Sequence, residues 1–125
     1  DSVRIKEAFP INIAIDFEII VLPNFNSNEV LRNCILTLQT YFNIDEWQVN
    51  EPIILRDVYA LLDKVQGIQT VKNIVFTNKT GGSYSNYKYD VVGAMIDNVI
   101  YPSIDPMVFE VKYPNSDIKG RIVNL

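Results

Sequence analysis

The chain has 125 residues, of which 48% are apolar and 21% are charged, a composition that fits one folded domain and excludes extensive disorder. Its net charge of −4, from 15 acidic and 11 basic residues, argues against nucleic-acid or anionic-membrane binding, since both need a positive surface. The sequence has no histidine, and Cys34 is its one cysteine, which removes the usual general base, the commonest metal ligand and any internal disulfide.

The start of the chain predicts a lead-in followed by a long strand. Residues 1–10 are predicted to be a lead-in or linker from an absent upstream region, because the chain opens at Asp1 rather than Met, and residues 11–125 a single domain. Between Pro10 and Pro23, β-branched and aromatic residues alternate with polar ones. This period of two predicts a strand of roughly 40 Å with one apolar and one polar face.

A first helix is predicted over residues 27–42. Asn26 fits the N-cap position, and Glu29 stands three residues later, where a capping box places its second member. Apolar residues then recur at helical spacing. Leu31 and Leu36 widen the apolar stripe beyond what a helix lying on one sheet face needs.

A second helix is predicted over residues 56–65, after a polar loop over residues 43–54. Trp47 lies in that loop, and we expect its large apolar ring to hold the loop against the core. Gly67 is predicted to occupy the C-terminal cap of the second helix.

The rest of the chain predicts short strands and turns. The predicted elements are a strand over 70–77, a loop over 79–89, a turn at Asp97-Asn98, a turn over 103–106, a strand over 107–113, a turn over 114–117 and an edge strand over 118–123. The order β-α-α-β followed by short strands indicates an α+β domain. Its two helices would pack on one face of a mostly antiparallel sheet.

Two stretches are candidates for chemistry. Asp16 and Glu18 point to the same face of the first strand, where they could share a cation or a proton, but a solvated outer face is the favoured explanation. Gly81-Gly82-Ser83 lacks the spacing of a phosphate-binding loop and is predicted to be a hairpin loop. No catalytic set is visible, so we expect no enzyme activity, no cofactor and no metal site.

The loop over 79–89 is the favoured interaction site. It carries Tyr84, Tyr87 and Tyr89, a residue type that often anchors protein interfaces. Ordinary loop packing is the main alternative. Single-stranded nucleic-acid binding through these rings and nearby lysines is a third possibility that the negative charge disfavours. Leu22 and Phe25, at the end of the first strand, are further interface candidates.

Two sets of residues resemble a known family. The first is Ile13–Val21, Asn26, Glu29-Val30, Tyr41-Phe42-Asn43, Trp47, Pro52-Ile53, Leu55, Asp57–Asp63, Val65, Gly67-Ile68 and Val71-Lys72-Asn73, which resembles the C-terminal region of the baseplate-J-like wedge proteins of contractile-tailed bacteriophages. The second is Tyr101–Pro106 and Phe109–Ile118, which is similar to the wedge proteins of T-even-type phages. Family members often have Ser where this chain has Arg56, so the second helix needs a different cap.

The resemblance implies a structural subunit rather than an enzyme. It implies a domain of the tail baseplate in the virion, assembled in the bacterial host cytoplasm, that contacts other wedge subunits and further copies of itself in a ring around the hub, with homodimer contacts. Nucleic acid, membrane and cofactors are not expected partners. The alternative, from the residues alone, is a metal- or ligand-binding domain, possibly hydrolytic, that uses Asp16 and Glu18.

Overall fold

The computed structural model describes residues 8–102 and 106–124. Residues 1–7 of the predicted lead-in and residues 103–105 of the predicted turn lie outside this range. The described elements are β1 (Phe9–Val21), α1 (Ser27–Tyr41), β2 (Ile53–Ile54), α2 (Leu55–Asp63), β3 (Ile68–Asn78), β4 (Met95–Ile96), β5 (Val99–Ile100), β6 (Met107–Glu110), α3 (Pro114–Asp117) and β7 (Ile118–Ile122). The predicted α+β class is confirmed.

The long strand β1 is the centre of the main sheet. It pairs antiparallel with β3 along one edge. On its other edge it pairs in parallel with β6 through Phe9–Asn12 and with β7 through Ile15–Ile19. The short helix α3 separates β6 from β7, so these two strands form one edge that a helical turn interrupts. The sequence did not predict this parallel pairing.

A second, smaller sheet has the strand order β2-β5-β4, with both pairings antiparallel. Antiparallel pairing therefore predominates in the described sheets, as predicted. The turn between β4 and β5 has positive φ angles of 53° at Asp97 and 63° at Asn98, the backbone of a tight type I′ hairpin, so the predicted turn is confirmed.

Both helices pack on one face of the main sheet, as predicted. That face carries the odd-numbered residues of β1 from Ile11 to Ile19, all of them buried. They share one core with Val30, Cys34 and Leu38 of α1 and with Val58 and Leu62 of α2. Helix α1 packs closely on the sheet at Gly120 of β7, where an added Cβ would stand 2.2 Å from Cζ of Phe17 and 2.7 Å from Cδ1 of Leu31.

The two long helices begin differently. Asn26 caps α1, because its Oδ1 accepts a hydrogen bond from the backbone N–H of Glu29 at 3.1 Å. Helix α2 has no side-chain cap. The carbonyl oxygen of Asn98 instead accepts from the backbone N–H of Leu55 at 3.0 Å, so the β4–β5 turn supplies the cap that Arg56 does not.

Several predicted boundaries were wrong. Helix α2 ends with its cap at Lys64, so Gly67 is not the cap; it lies in the turn before β3, with a φ of 96°. The predicted loop over 43–54 contains β2, since Ile53 pairs with Ile100. The predicted strand over 107–113 ends at Glu110, and the predicted turn over 114–117 is the helix α3. Strand β1 begins at Phe9, two residues before its predicted start.

Trp47 holds the loop between α1 and β2, as predicted. Its side chain is 3% exposed and packs against the rings of Tyr41 and Phe42, with centroids 5.4 and 5.0 Å away. Among the described residues, its indole Nε1 has no hydrogen-bond partner. No helix in the described ranges has the length and apolar character that crossing a membrane requires.

Candidate interaction surfaces

Asp16 and Glu18 lie on the outer face of the main sheet, opposite the helices. Each acid has a base beside it on β7: Asp16 pairs in register with Lys119, and the Glu18 carboxylate accepts a hydrogen bond from the Arg121 guanidinium. The Arg121 side chain is 71% exposed, so this ion pair contributes at most about 1 kcal/mol to stability. Together these four side chains border a shallow pocket of about 380 Å³.

This arrangement gives the acids an electrostatic role in pairing β1 with β7. Cross-strand pairs of opposite charge stabilise a sheet and favour one register. Within residues 8–102 and 106–124, no group of three or more His, Cys, Asp or Glu residues could hold a metal ion. The alternative metal-binding role for Asp16 and Glu18 therefore gains no support from the geometry.

Tyr84 is half-buried and makes contacts within the domain. Its hydroxyl donates to the carboxylate of Asp117, with distances of 2.8 and 3.1 Å to the two oxygens, and Asp117 is 6% exposed. The ring lies edge-on to Tyr113 at 5.4 Å, with the Lys79 ammonium 5.6 Å from its centroid. The hydrogen bond to Asp117 raises the pKa of Tyr84, because it holds the proton on the hydroxyl.

Two asparagines attach the loop over 79–89, which we call the tyrosine loop, to the sheet. Asn12 of β1 is 1% exposed, although its position on the polar face of the strand predicted exposure. Its Oδ1 accepts from the backbone N–H of Ser85 at 2.7 Å. Oδ1 of Asn78 accepts from the backbone N–H of Tyr89 at 2.9 Å. The Tyr89 ring also contacts Phe109, so this tyrosine too is held against the core.

Tyr87 is the most exposed of the three tyrosines. Its side chain is 40% exposed, and its ring lies 4.7 Å from that of Phe9, the first residue of β1. We call Tyr87 and Phe9 the tyrosine-loop patch.

Leu22 and Phe25 form a second patch, just beyond the last residue of β1. They are 38% and 37% exposed. The backbone N–H of Phe25 donates to the carbonyl of Leu22 at 3.2 Å, so a turn brings the two residues close together. The Phe25 ring lies over Gly67, whose missing Cβ would stand 2.9 Å from it. We call these two residues the strand-end patch.

The two patches lie at opposite ends of β1. One contains the first residue of this strand and the other follows its last, and the 13 residues of the strand span roughly 40 Å at the rise of an extended chain. The five candidate residues therefore do not form one surface. The structure places Leu22 and Phe25 together, places Tyr87 far from them, and engages Tyr84 and Tyr89 in internal contacts.

The sequence reasoning missed an apolar face on the small sheet. Ile54, Val99 and Ile96 form a row across its three strands, and Ile96 is 62% exposed. Val92, in the turn before β4, is 65% exposed. The apolar stretch from residue 91 to 101 was the available signal. It did not show which side chains face the core, because that depends on how β5 pairs with β2.

No model of a known protein family matches the chain, and no curated protein is significantly similar to it.

Proposed function

We propose that this domain is a structural subunit of a phage tail baseplate wedge and works through protein–protein contacts. The sequence resemblance motivates the assignment, and one structural observation supports it. The two exposed apolar patches lie at opposite ends of the longest strand, roughly 40 Å apart. A single patch serves a dimer, whereas a ring or chain needs two separated contact surfaces on every subunit.

Each patch is also attached to the fold by hydrogen bonds or packing. Tyr87 lies on a loop that Asn12 and Asn78 fasten to the sheet. Phe25 packs over the turn that leads into β3. Aromatic residues such as Tyr and Phe are enriched at protein interfaces.

The test measures self-association by analytical ultracentrifugation up to about 1 mM, a concentration that populates weak contacts. We expect the wild type to form species larger than a dimer, because each patch would contact the same patch of a neighbouring copy. Leu22→Asp with Phe25→Asp should leave dimers joined through the tyrosine loop. Tyr87→Asp should leave dimers joined through the strand ends, and the triple variant should be a monomer.

Val92→Asp is the matched control, since Val92 is exposed but lies outside both patches. A strictly monomeric wild type over the whole concentration range, or patch variants that associate as the wild type does, would contradict self-association through these surfaces. Electron microscopy of the full-length protein tests the baseplate assignment separately. A ring with this domain at the subunit boundaries is expected, and the absence of any ring contradicts the assignment.

A further inference from the structure

The groove between α1 and α2 has properties that neither the core nor the two patches explain. It has a volume of about 500 Å³ and is lined by Asn33, Leu36, Thr37, Thr40, Tyr41 and Leu61. Leu36 is 45% exposed, although it lies in the middle of a helix that packs on the sheet. Leu31, the other residue that widens the stripe, packs near Gly120 and so has a structural role. Leu36 has no such structural role among the described contacts.

The threonines of the groove present an apolar surface. The Thr37 hydroxyl donates to the carbonyl of Asn33 at 2.7 Å, and the Thr40 hydroxyl donates to that of Leu36 at 3.0 Å. Both hydroxyls are therefore satisfied within the helix, which leaves their methyl groups for outside contacts. Together with Leu36, Leu61 and Tyr41, these threonines give the groove a mostly apolar floor. Two helices with such a floor between them offer a third helix a place to pack.

One end of the groove is acidic. Burial raises the pKa of Tyr41, and the negative charges of Asp57 and Glu51 raise it further, so both acids lie near that hydroxyl. Helix α1 ends there and α2 begins there, with Asp57 in its first turn, so the two helix dipoles oppose each other and the carboxylates set the sign of the charge. At the other end of the groove, Arg32 and Lys64 lie one helical turn from Leu36 and Leu61, and Glu29 is nearby. These mixed charges favour neither sign of ligand.

We propose that this groove binds an amphipathic helix of another protein, with an aliphatic stripe on Leu36 and Leu61 and a lysine or arginine over Asp57. Helix-in-groove recognition uses this combination of an apolar floor and a charged rim. The six lining residues suit a single helix better than a second copy of the chain, because stable protein pairs bury about 800 Å² on each partner. The inference rests on the proposed function in that both make the domain a protein-binding module.

The probe is a synthetic helical peptide of about 15 residues, long enough to form a helix on binding. It carries leucines at helical spacing and three lysines at one end. A matched peptide has glutamates in place of the lysines. Fluorescence anisotropy measures the dissociation constant, and amide chemical shifts locate the binding surface. We expect saturable binding of the lysine peptide, with shifts along Asn33–Tyr41 and around Leu61, and weaker binding of the glutamate peptide.

Three variants make the result specific. Leu36→Glu should weaken binding at least about tenfold, as removal of a central anchor does. Asp57→Asn should weaken binding of the lysine peptide a few-fold and strengthen binding of the glutamate peptide, because the charge that attracts one and repels the other is removed. Ile96→Glu, an equally disruptive change at an exposed side chain outside the groove, should bind as the wild type does. Circular dichroism confirms that each variant is folded, and Leu36→Ala gives a second, milder loss.

Several outcomes would overturn the proposal. They are the absence of saturable binding up to about 1 mM peptide, equal binding of both peptides, and binding that Ile96→Glu removes but Leu36→Glu does not. Loss of self-association in Leu36→Glu would make the occupant a second copy, and would overturn it as well. Self-association through the patches depends on Leu22, Phe25 and Tyr87, so it can survive a failure here, and peptide binding can survive the loss of the patches.

Discussion

Trp47 connects the loop between α1 and β2 to the aromatic part of the core. Its ring contacts Tyr41 and Phe42, and Phe42 in turn lies 5.9 Å from Phe76 of β3. The contacts therefore run from the loop through the end of α1 to the sheet. We expect Trp47→Ala to lower the free energy of unfolding by about 3 kcal/mol, because it removes a buried aromatic ring and leaves a cavity. Urea denaturation measures the difference.

Two control variants separate the causes of this loss. Trp47→Phe keeps a ring and also removes the indole N–H that has no partner among the described residues, so its loss should be clearly smaller. Val92→Ala, at a side chain that is 65% exposed, should change stability by less than about 0.5 kcal/mol. A loss below about 1 kcal/mol in Trp47→Ala would contradict a core role for the indole.

For individual residues, the sequence predicted the roles that follow from a local pattern. Trp47 in a polar loop and Asn26 before a helix are such cases. It did not predict the burial of Asn12 or the bond between Tyr84 and Asp117, because their partners are far away along the chain. Asn12 donates to Glu110, 98 residues later, and Tyr84 donates to a residue 33 positions later. Only the fold brings these groups within hydrogen-bond distance.

Among the elements, α1 and β7 pack closely against each other. This packing depends on Gly120, since an added Cβ would overlap Phe17 and come close to Leu31. Gly120→Ala should therefore lower the unfolding free energy by about 1–3 kcal/mol, because α1 must move away or the Phe17 ring must leave its rotamer. Thermal and urea denaturation measure the loss.

The neighbouring position supplies the control for this prediction. Lys119→Ala changes an exposed residue of the same strand and should cost less than about 0.5 kcal/mol, the size of its exposed cross-strand pairing with Asp16. Phe17→Leu in the Gly120→Ala background should recover part of the loss, since it removes ring atoms from the site of overlap. If Gly120→Ala is as stable as the wild type, helix α1 does not lie as close to β7 as described.

The elements that the sequence predicted are those with strong internal periodicity. Strand β1, α1 and α2 were all found near their predicted positions, with ends shifted by one or two residues. The sequence did not predict that β6 and β7 lie parallel to β1, because pairing partners are fixed by contacts between distant segments. The sequence showed that Leu36 widens the apolar stripe beyond what packing on the sheet needs, but it did not show where this side chain lies. The groove that Leu36 lines forms only when α2 lies beside α1.

The whole molecule responds to pH through a small set of groups. The chain has no histidine, so no side chain has an ordinary pKa in the neutral range. Burial raises the pKa of Cys34 to about 11, burial also raises that of Tyr41, and the bond to Asp117 raises that of Tyr84. In the unfolded chain these groups ionise near ordinary values of about 8.5 to 10. Above that pH the native state binds more protons than the unfolded state, so stability falls as pH rises.

We therefore expect the free energy of unfolding to change little between about pH 6 and 8, and to decline from about pH 9 through pH 11. Urea denaturation at fixed ionic strength across this range measures the profile. Cys34→Ala loses some packing at every pH, but its decline above pH 9 should be shallower, because it lacks the buried thiol. The decline for Tyr84→Phe should also be shallower, because this variant lacks the hydroxyl that the bond to Asp117 keeps protonated. A step near neutral pH, or three parallel profiles, would contradict this account of how the fold holds its ionisable groups.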